Sequence, residues 1–271
     1  MRIEYLKLLF VKDWKELIKS KQALIPMIVV PVIFVVILPL IILLTASTGT
    51  LDAVMAGDME MFLSNLPSEM IPQSYTEVQQ LLYGILVYFF APLFLIIPVM
   101  FASIIASSSF AGEKERRTIE GLLYTPLTDR ELIFGKTLVS LVPAIGISLL
   151  CFVVYAFLIN GVGYRYFHHI FFPTASWILM VVWLVPLLSF LSLALVVWIS
   201  QRSTGMWEAQ QISVVLILPI IALVISQAAG VLYLNTIGVF LAGLVCLGVD
   251  YLLFRWLVRQ FNRERIVTRL N

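Results

Sequence analysis

The sequence predicts an all-α polytopic membrane protein: six transmembrane helices, preceded by an interfacial amphipathic helix and divided by a short cytoplasmic helix. Three observations predict it. Of the 271 residues 61% are hydrophobic and 13% charged, and the mean hydropathy of +1.00 is far from the balance of soluble domains. Six apolar runs, at about 24–45, 81–107, 133–159, 174–199, 211–229 and 236–257, match the roughly 20 helical residues that cross about 30 Å of hydrocarbon. Lipid gives the backbone no hydrogen-bond partner and strand-like alternation is absent, so each run is expected to be a helix. Finally, 17 of the 18 Lys and Arg lie in 1–23, 108–136, 200–210 and the segment from Arg255 onward, while 46–80, 160–173 and 230–235 hold only Arg165. Positive charge is retained on the cytoplasmic side, which puts both termini and the loop 108–136 there.

Two regions follow, 1–23 and a transmembrane domain over 24–271. In "MRIEYLKLLFVKDWKELIKSK" the residues Ile3, Leu6, Phe10, Trp14 and Leu17 recur three or four apart, with Lys7, Lys12, Lys15 and Lys19 largely elsewhere. That pattern predicts a helix lying along the inner leaflet. The charged leader is too long and the first run too extended for a cleavable signal, so span one is expected to be retained. The loop 46–80 carries five acidic residues and no basic one. At its end, Ser74 to Glu77 fits a capping box that would start a helix at Tyr75, and Pro92 and Pro98 predict kinks in span two. His168 and His169 sit among aromatics just before span four, which reads as an interfacial aromatic belt; a metal-binding pair is the alternative. Cys151 and Cys246 fall inside spans and provide no disulfide framework.

The central segment "EKERRTIEGLLYTPLTDRELIFGK", residues 113–136, holds five basic and five acidic residues. As a helix, Glu113 to Tyr124 would gather Ile119, Leu122 and Leu123 on one arc and Glu113, Arg116, Arg117 and Glu120 on another, with Glu113 and Arg117 in the favourable i, i+4 order. Pro126 would end it, and Thr128 to Glu131 supplies a capping box for the next helix. Gly135, Lys136 and Thr137 imitate the end of a phosphate-binding loop, but Arg130 stands where the first glycine must be.

From Phe110 to Lys136 the chain resembles the cytoplasmic segment of type-2 ABC exporter permeases. The matching positions are Phe110, Glu113, Lys114, Glu115, Thr118, Glu120, Leu122, Leu123, Pro126, Leu127, Thr128, Glu131, Leu132, Ile133, Gly135 and Lys136. The resemblance implies a coupling helix that rests on a separate ATPase, with Glu113, Glu115, Arg117 and Glu120 as docking or relay residues and Gly135 and Lys136 at the start of span three. It further implies a non-catalytic permease in the cytoplasmic (inner or plasma) membrane of a prokaryote, working with two ATP-binding-cassette subunits and a second six-span copy or paralogue. No cofactor is then expected in this chain, since ATP and Mg would bind the partner; no nucleic-acid partner is expected either. The chain itself has no Walker A sequence.

One charge falls inside a span. Gly238, Ala242, Cys246 and Asp250 recur every four residues, placing Asp250 on a small-residue face suited to close helix contact. A structural hydrogen bond, or a pair near the cytoplasmic interface about 8 Å from Arg255 along the helix, competes with proton or cation binding. An ion-coupled secondary transporter is the alternative function, and a membrane-embedded enzyme a weaker one, because convergent polar residues inside the spans are missing.

Overall fold

The computed structural model describes residues 3–46, 70–112, 129–200 and 206–260, and among them every regular element is helical. We number the helices α1 Ile3–Lys19, α2 Lys21–Thr45, α3 Glu77–Ala111, α4 Asp129–Phe167, α5 Ala175–Ser200, α6 Met206–Ser213, α7 Ile217–Ala228 and α8 Thr236–Gln260. Five of them, α2, α3, α4, α5 and α8, are long and apolar enough to cross a bilayer.

The run predicted at 211–229 differs from the expectation. Its apolar helix α7 has 12 residues and is fed by α6 through the 3₁₀ turn Val214–Leu216. The cause is local: Pro219 denies the carbonyl of Val215 its helical donor, and the chain tightens where that bond is missing.

Helix α3 forms the centre. Of its most apolar stretch 78% is buried, against 22% for α2 and 17% for α8, so neighbours surround it while the outer helices turn large apolar side chains outward. Side-chain bonds fix the two ends of the bundle. At one end Gln79 Nε2 donates to the Tyr166 carbonyl at 2.7 Å and the Tyr166 hydroxyl to the Leu43 carbonyl at 2.8 Å. That gathers the C-terminus of α2, the N-terminus of α3 and the C-terminus of α4. At the other end Ala106, Ala111, Val196, Val197 and Ala209 share a small apolar cluster.

Helices α5 and α8 run parallel. Trp183 stacks on Phe240 at 6.2 Å, Phe190 meets Phe254 at 6.4 Å and Trp198 meets Trp256 at 5.7 Å, so the partners advance together. Close approach is set by Gly243, where an added Cβ would lie 2.0 Å from Trp183 Nε1. Gly238 serves a different purpose: its N–H bonds the Asn235 side chain at 2.7 Å and its missing Cβ would strike the Tyr233 carbonyl at 2.5 Å, both part of the N-terminal cap of α8. The contact stripe is therefore Val239, Ala242, Gly243, Cys246 and Asp250, close to the predicted one but not led by Gly238.

The capping box of α3 lies two residues past the expected position. Thr76 Oγ1 accepts from Gln79 N at 3.4 Å and Thr76 N donates to Gln79 Oε1 at 2.9 Å, so the helix starts at Glu77. Thr and Gln form this reciprocal pair as well as Ser and Glu do.

Candidate functional site

Two polar constructions stand out in so apolar a chain, one at the C-terminal end of α3 and one around its broken middle. The first lies where α3 ends and α4 begins, flanking residues 113–128. The last turn of α3, Ser107–Ala111, is π-helical, a wider winding that turns side chains away from their regular α positions. Ser109 there donates its hydroxyl to Asp13 Oδ2 at 2.6 Å. Its carbonyl accepts from Lys136 Nζ at 2.8 Å, and the same ammonium lies 5.3 Å from the centre of the Phe110 ring. Asp13, Ser109 and Lys136 are each more than nine-tenths buried. Ionic groups persist at such depth only when neighbours take over from water, which Ser109 does for both. Ser107 and Ser140, each close in sequence to a member of this group, are buried with hydroxyls that have no hydrogen-bond partner among the described residues.

The second construction surrounds a break in α3. Gly84–Phe89 is π-helical and the helix is interrupted again at Leu95, between Pro92 and Pro98 as their missing N–H groups require. Three consecutive carbonyls above the break receive side-chain donors from three other helices. Tyr155 Oη of α4 donates to Leu86, Trp177 Nε1 of α5 to Val87 and Gln227 Nε2 of α7 to Tyr88, each at 2.7 Å. Tyr155 and Trp177 stack at 5.3 Å, and Phe94 and Phe172 meet the indole edge-on at 5.4 and 4.9 Å. Pro92 has no N–H to offer the Tyr88 carbonyl, so in a dry interior the Gln227 amide supplies the donor that the broken helix cannot.

Beyond this collar the chain turns between α4 and α5. Asn160 closes the turn: its amide donates to the carbonyls of Ala156 and Phe172 at 2.9 and 2.6 Å, and its Oδ1 accepts from the N–H groups of Phe171 and Phe172 at 3.2 Å. His169 joins an aromatic group with Tyr75 and Phe167. Its Nδ1 bonds the Phe167 carbonyl at 2.6 Å, so in the neutral ring Nδ1 carries the proton and the Tyr75 hydroxyl donates to Nε2 at 3.0 Å. Burial raises the Tyr75 pKa above the ordinary value, which keeps that donor in place.

Of the residues singled out from the sequence, Glu113, Glu115, Arg117 and Glu120 lie outside the described residues, as does Thr128. Gly135 and Lys136 are placed at the buried start of span three. Asp250 is 5% exposed, and neither carboxylate oxygen has a hydrogen-bond partner among the described residues. Arg255 lies over the Tyr251 ring at 5.7 Å. Sequence reasoning missed Asp13, Ser109, Tyr155, Trp177 and Gln227. One signal was legible: Asp13 stands three residues from Phe10 and four from Leu17, beside the apolar stripe of α1 where a carboxylate needs a reason.

The sequence profile of the ABC-2 family transporter proteins matches residues 8–262. The chain belongs to this family of permeases. No curated protein and no solved structure matches it. It is thus a multi-pass membrane protein and the membrane transport subunit, the permease component, of an ABC transporter. Permeases of this family work with ATP-binding-cassette ATPase partners. For this permease the Asp13–Ser109–Lys136 cluster acquires a context, since it ties together the two helix ends that flank residues 113–128.

Proposed function

We propose that this permease exports its substrate across the cytoplasmic membrane of a prokaryote, driven by ATP bound and hydrolysed with Mg on two separate ATPase subunits. Its transport unit includes a second six-span copy or paralogue. In this reading residues 113–128 dock on the ATPase through Glu113, Glu115, Arg117 and Glu120, charges that set register around a small apolar ridge. Closing of the ATPase pair on ATP pushes the docked segments together and switches the spans from inward-facing to outward-facing; hydrolysis resets them.

The observation that carries the reading is the Lys136 bond to the Ser109 carbonyl. It brings the end of α3 to the start of α4, so the segment between them leaves and re-enters the bundle at one place and any force on it reaches both spans. Six crossings are supported by the parallel course of α5 and α8, since the chain between them must return. Ala209 sits with Ala111 at one end and Gln227 with Tyr88 toward the other. Eighteen residues at about 1.5 Å each cover roughly 27 Å, close to the bilayer core. The positive charge at both termini supports their cytoplasmic placement, with α1 along the inner leaflet.

The alternative, ion-coupled transport, is favoured by one observation: the buried carboxylate of Asp250 without a hydrogen-bond partner among the described residues. A purification experiment tests the leading reading. The tagged permease, extracted from its native membrane, is expected to bring with it a chain containing GxxxxGK[ST] and vanadate-sensitive ATPase activity. Charge reversal at Glu113 or Arg117 is expected to deplete both about tenfold, as loss of a pairing worth one to two kcal/mol would. Wild-type permease at normal yield with no such chain would refute the proposal.

A further inference from the structure

We infer that Asp13, Ser109 and Lys136 form a latch that makes α1 a moving part of the transmission rather than a passive anchor. The inference rests on the exporter reading for its consequence but on the geometry for its existence. A helix that only anchors the chain to the leaflet needs an apolar stripe and a basic rim, and Leu17 and the stacked Phe10 and Trp14 provide apolar contacts of that kind. Asp13 does not fit that purpose. It lies at the edge of the stripe, is 7% exposed and is held at 2.6 Å by the Ser109 hydroxyl of α3, while the Ser109 carbonyl is held by Lys136 of α4.

One serine therefore joins three elements. Its hydroxyl reaches back to α1 and its carbonyl reaches forward to α4, on both sides of the segment proposed to dock. Charged partners at both ends make these stronger than neutral hydrogen bonds, and their burial excludes the water that would compete. When the stems move, α1 is carried with them as one body. The π-helical winding of Ser107–Ala111 is what permits Ser109 to serve both sides. The hydroxyls of Ser107 and Ser140, two residues from Ser109 and four from Lys136 in sequence, are buried and unpartnered among the described residues. Asp13 and Ser109 are thus positioning residues, and Lys136 joins them in a role beyond its place at the start of span three.

The test uses the permease with its co-purified ATPase in lipid nanodiscs, with Cys151 and Cys246 replaced. Spin labels at Lys15→Cys on α1 and Val142→Cys on α4, both exposed, report their separation by electron resonance. One narrow distribution is expected without nucleotide. Asp13→Asn, which leaves the Ser109 hydroxyl only a neutral acceptor, and Lys136→Met, which removes the donor, are expected to add a longer distance and to raise the detached population about tenfold, the effect of losing the charge assistance or the bond itself. Lys136→Arg, still a donor, is expected to restore the narrow distribution. A second pair, Lys15→Cys with Ile237→Cys at the far end of α8, is expected to shift when ATP and vanadate are added, and to lose that shift in Asp13→Asn.

A distribution that stays narrow in both Asp13→Asn and Lys136→Met would overturn the latch. Detachment of α1 with a full nucleotide-driven shift would overturn its part in transmission. A wild-type complex whose second pair never responds to nucleotide would sink the exporter reading instead, while the nucleotide-free distances still decide whether the latch exists.

Discussion

Replacing Gln227 by leucine should expose how the broken centre of α3 is held. The Gln227 amide is the donor to the Tyr88 carbonyl at 2.7 Å, and Gln227 is 1% exposed. Pro92, four residues after Tyr88, has no N–H, so the backbone cannot replace that donor. Stranding a buried carbonyl costs about 1–3 kcal/mol, although cycles in membrane proteins average about 0.6 kcal/mol. Leucine also removes Gln227 Oε1, itself buried without a partner among the described residues, which offsets part of the loss. A net destabilisation of about 1 kcal/mol is expected. In a Pro92→Ala background the restored N–H can reach the Tyr88 carbonyl, so the same substitution should cost close to nothing. Unfolding free energies of the four proteins, measured by SDS titration in mixed micelles with tryptophan fluorescence, give the coupling directly. Equal costs in the two backgrounds, within about 0.5 kcal/mol, would show that the proline does not create the need for the glutamine.

Gly243→Ala should destabilise by about 1–3 kcal/mol, because its Cβ would lie 2.0 Å from the rigid indole of Trp183; thermal melting in detergent reads this, and most of the loss should vanish in Trp183→Ala. Asn160→Ala strands the N–H groups of Phe171 and Phe172 and should cost about 2 kcal/mol while opening the α4–α5 turn to protease, with Asn160→Asp recovering only the acceptor half. A cysteine at position 116, in a background without Cys151 and Cys246, should react with a membrane-impermeant thiol reagent only in inverted vesicles; labelling in intact cells would reverse the topology drawn from the charge distribution.

The class of the molecule was legible from residue composition and order alone. Apolar runs and basic loops report free energies of transfer and insertion that each residue contributes almost independently of its neighbours, so the ends of α2, α5 and α8 fall within a few residues of expectation, whereas α4 runs eight residues past 159 to Phe167. Local backbone chemistry was legible for the same reason: Pro92 and Pro98 act within one turn, and the break in α3 is where they put it. The family, too, was legible in the segment 110–136 and is confirmed over residues 8–262. Which polar residues hold the helices together emerges from packing alone. Tyr155, Trp177 and Gln227 lie 69, 90 and 139 residues from the carbonyls they hold, and Asp13 lies 96 from Ser109; no periodicity links positions so far apart. Their pairing arises because a hydrocarbon interior supplies no alternative partner, so a donor on one helix and a carbonyl on another find each other only when packing brings those helices together.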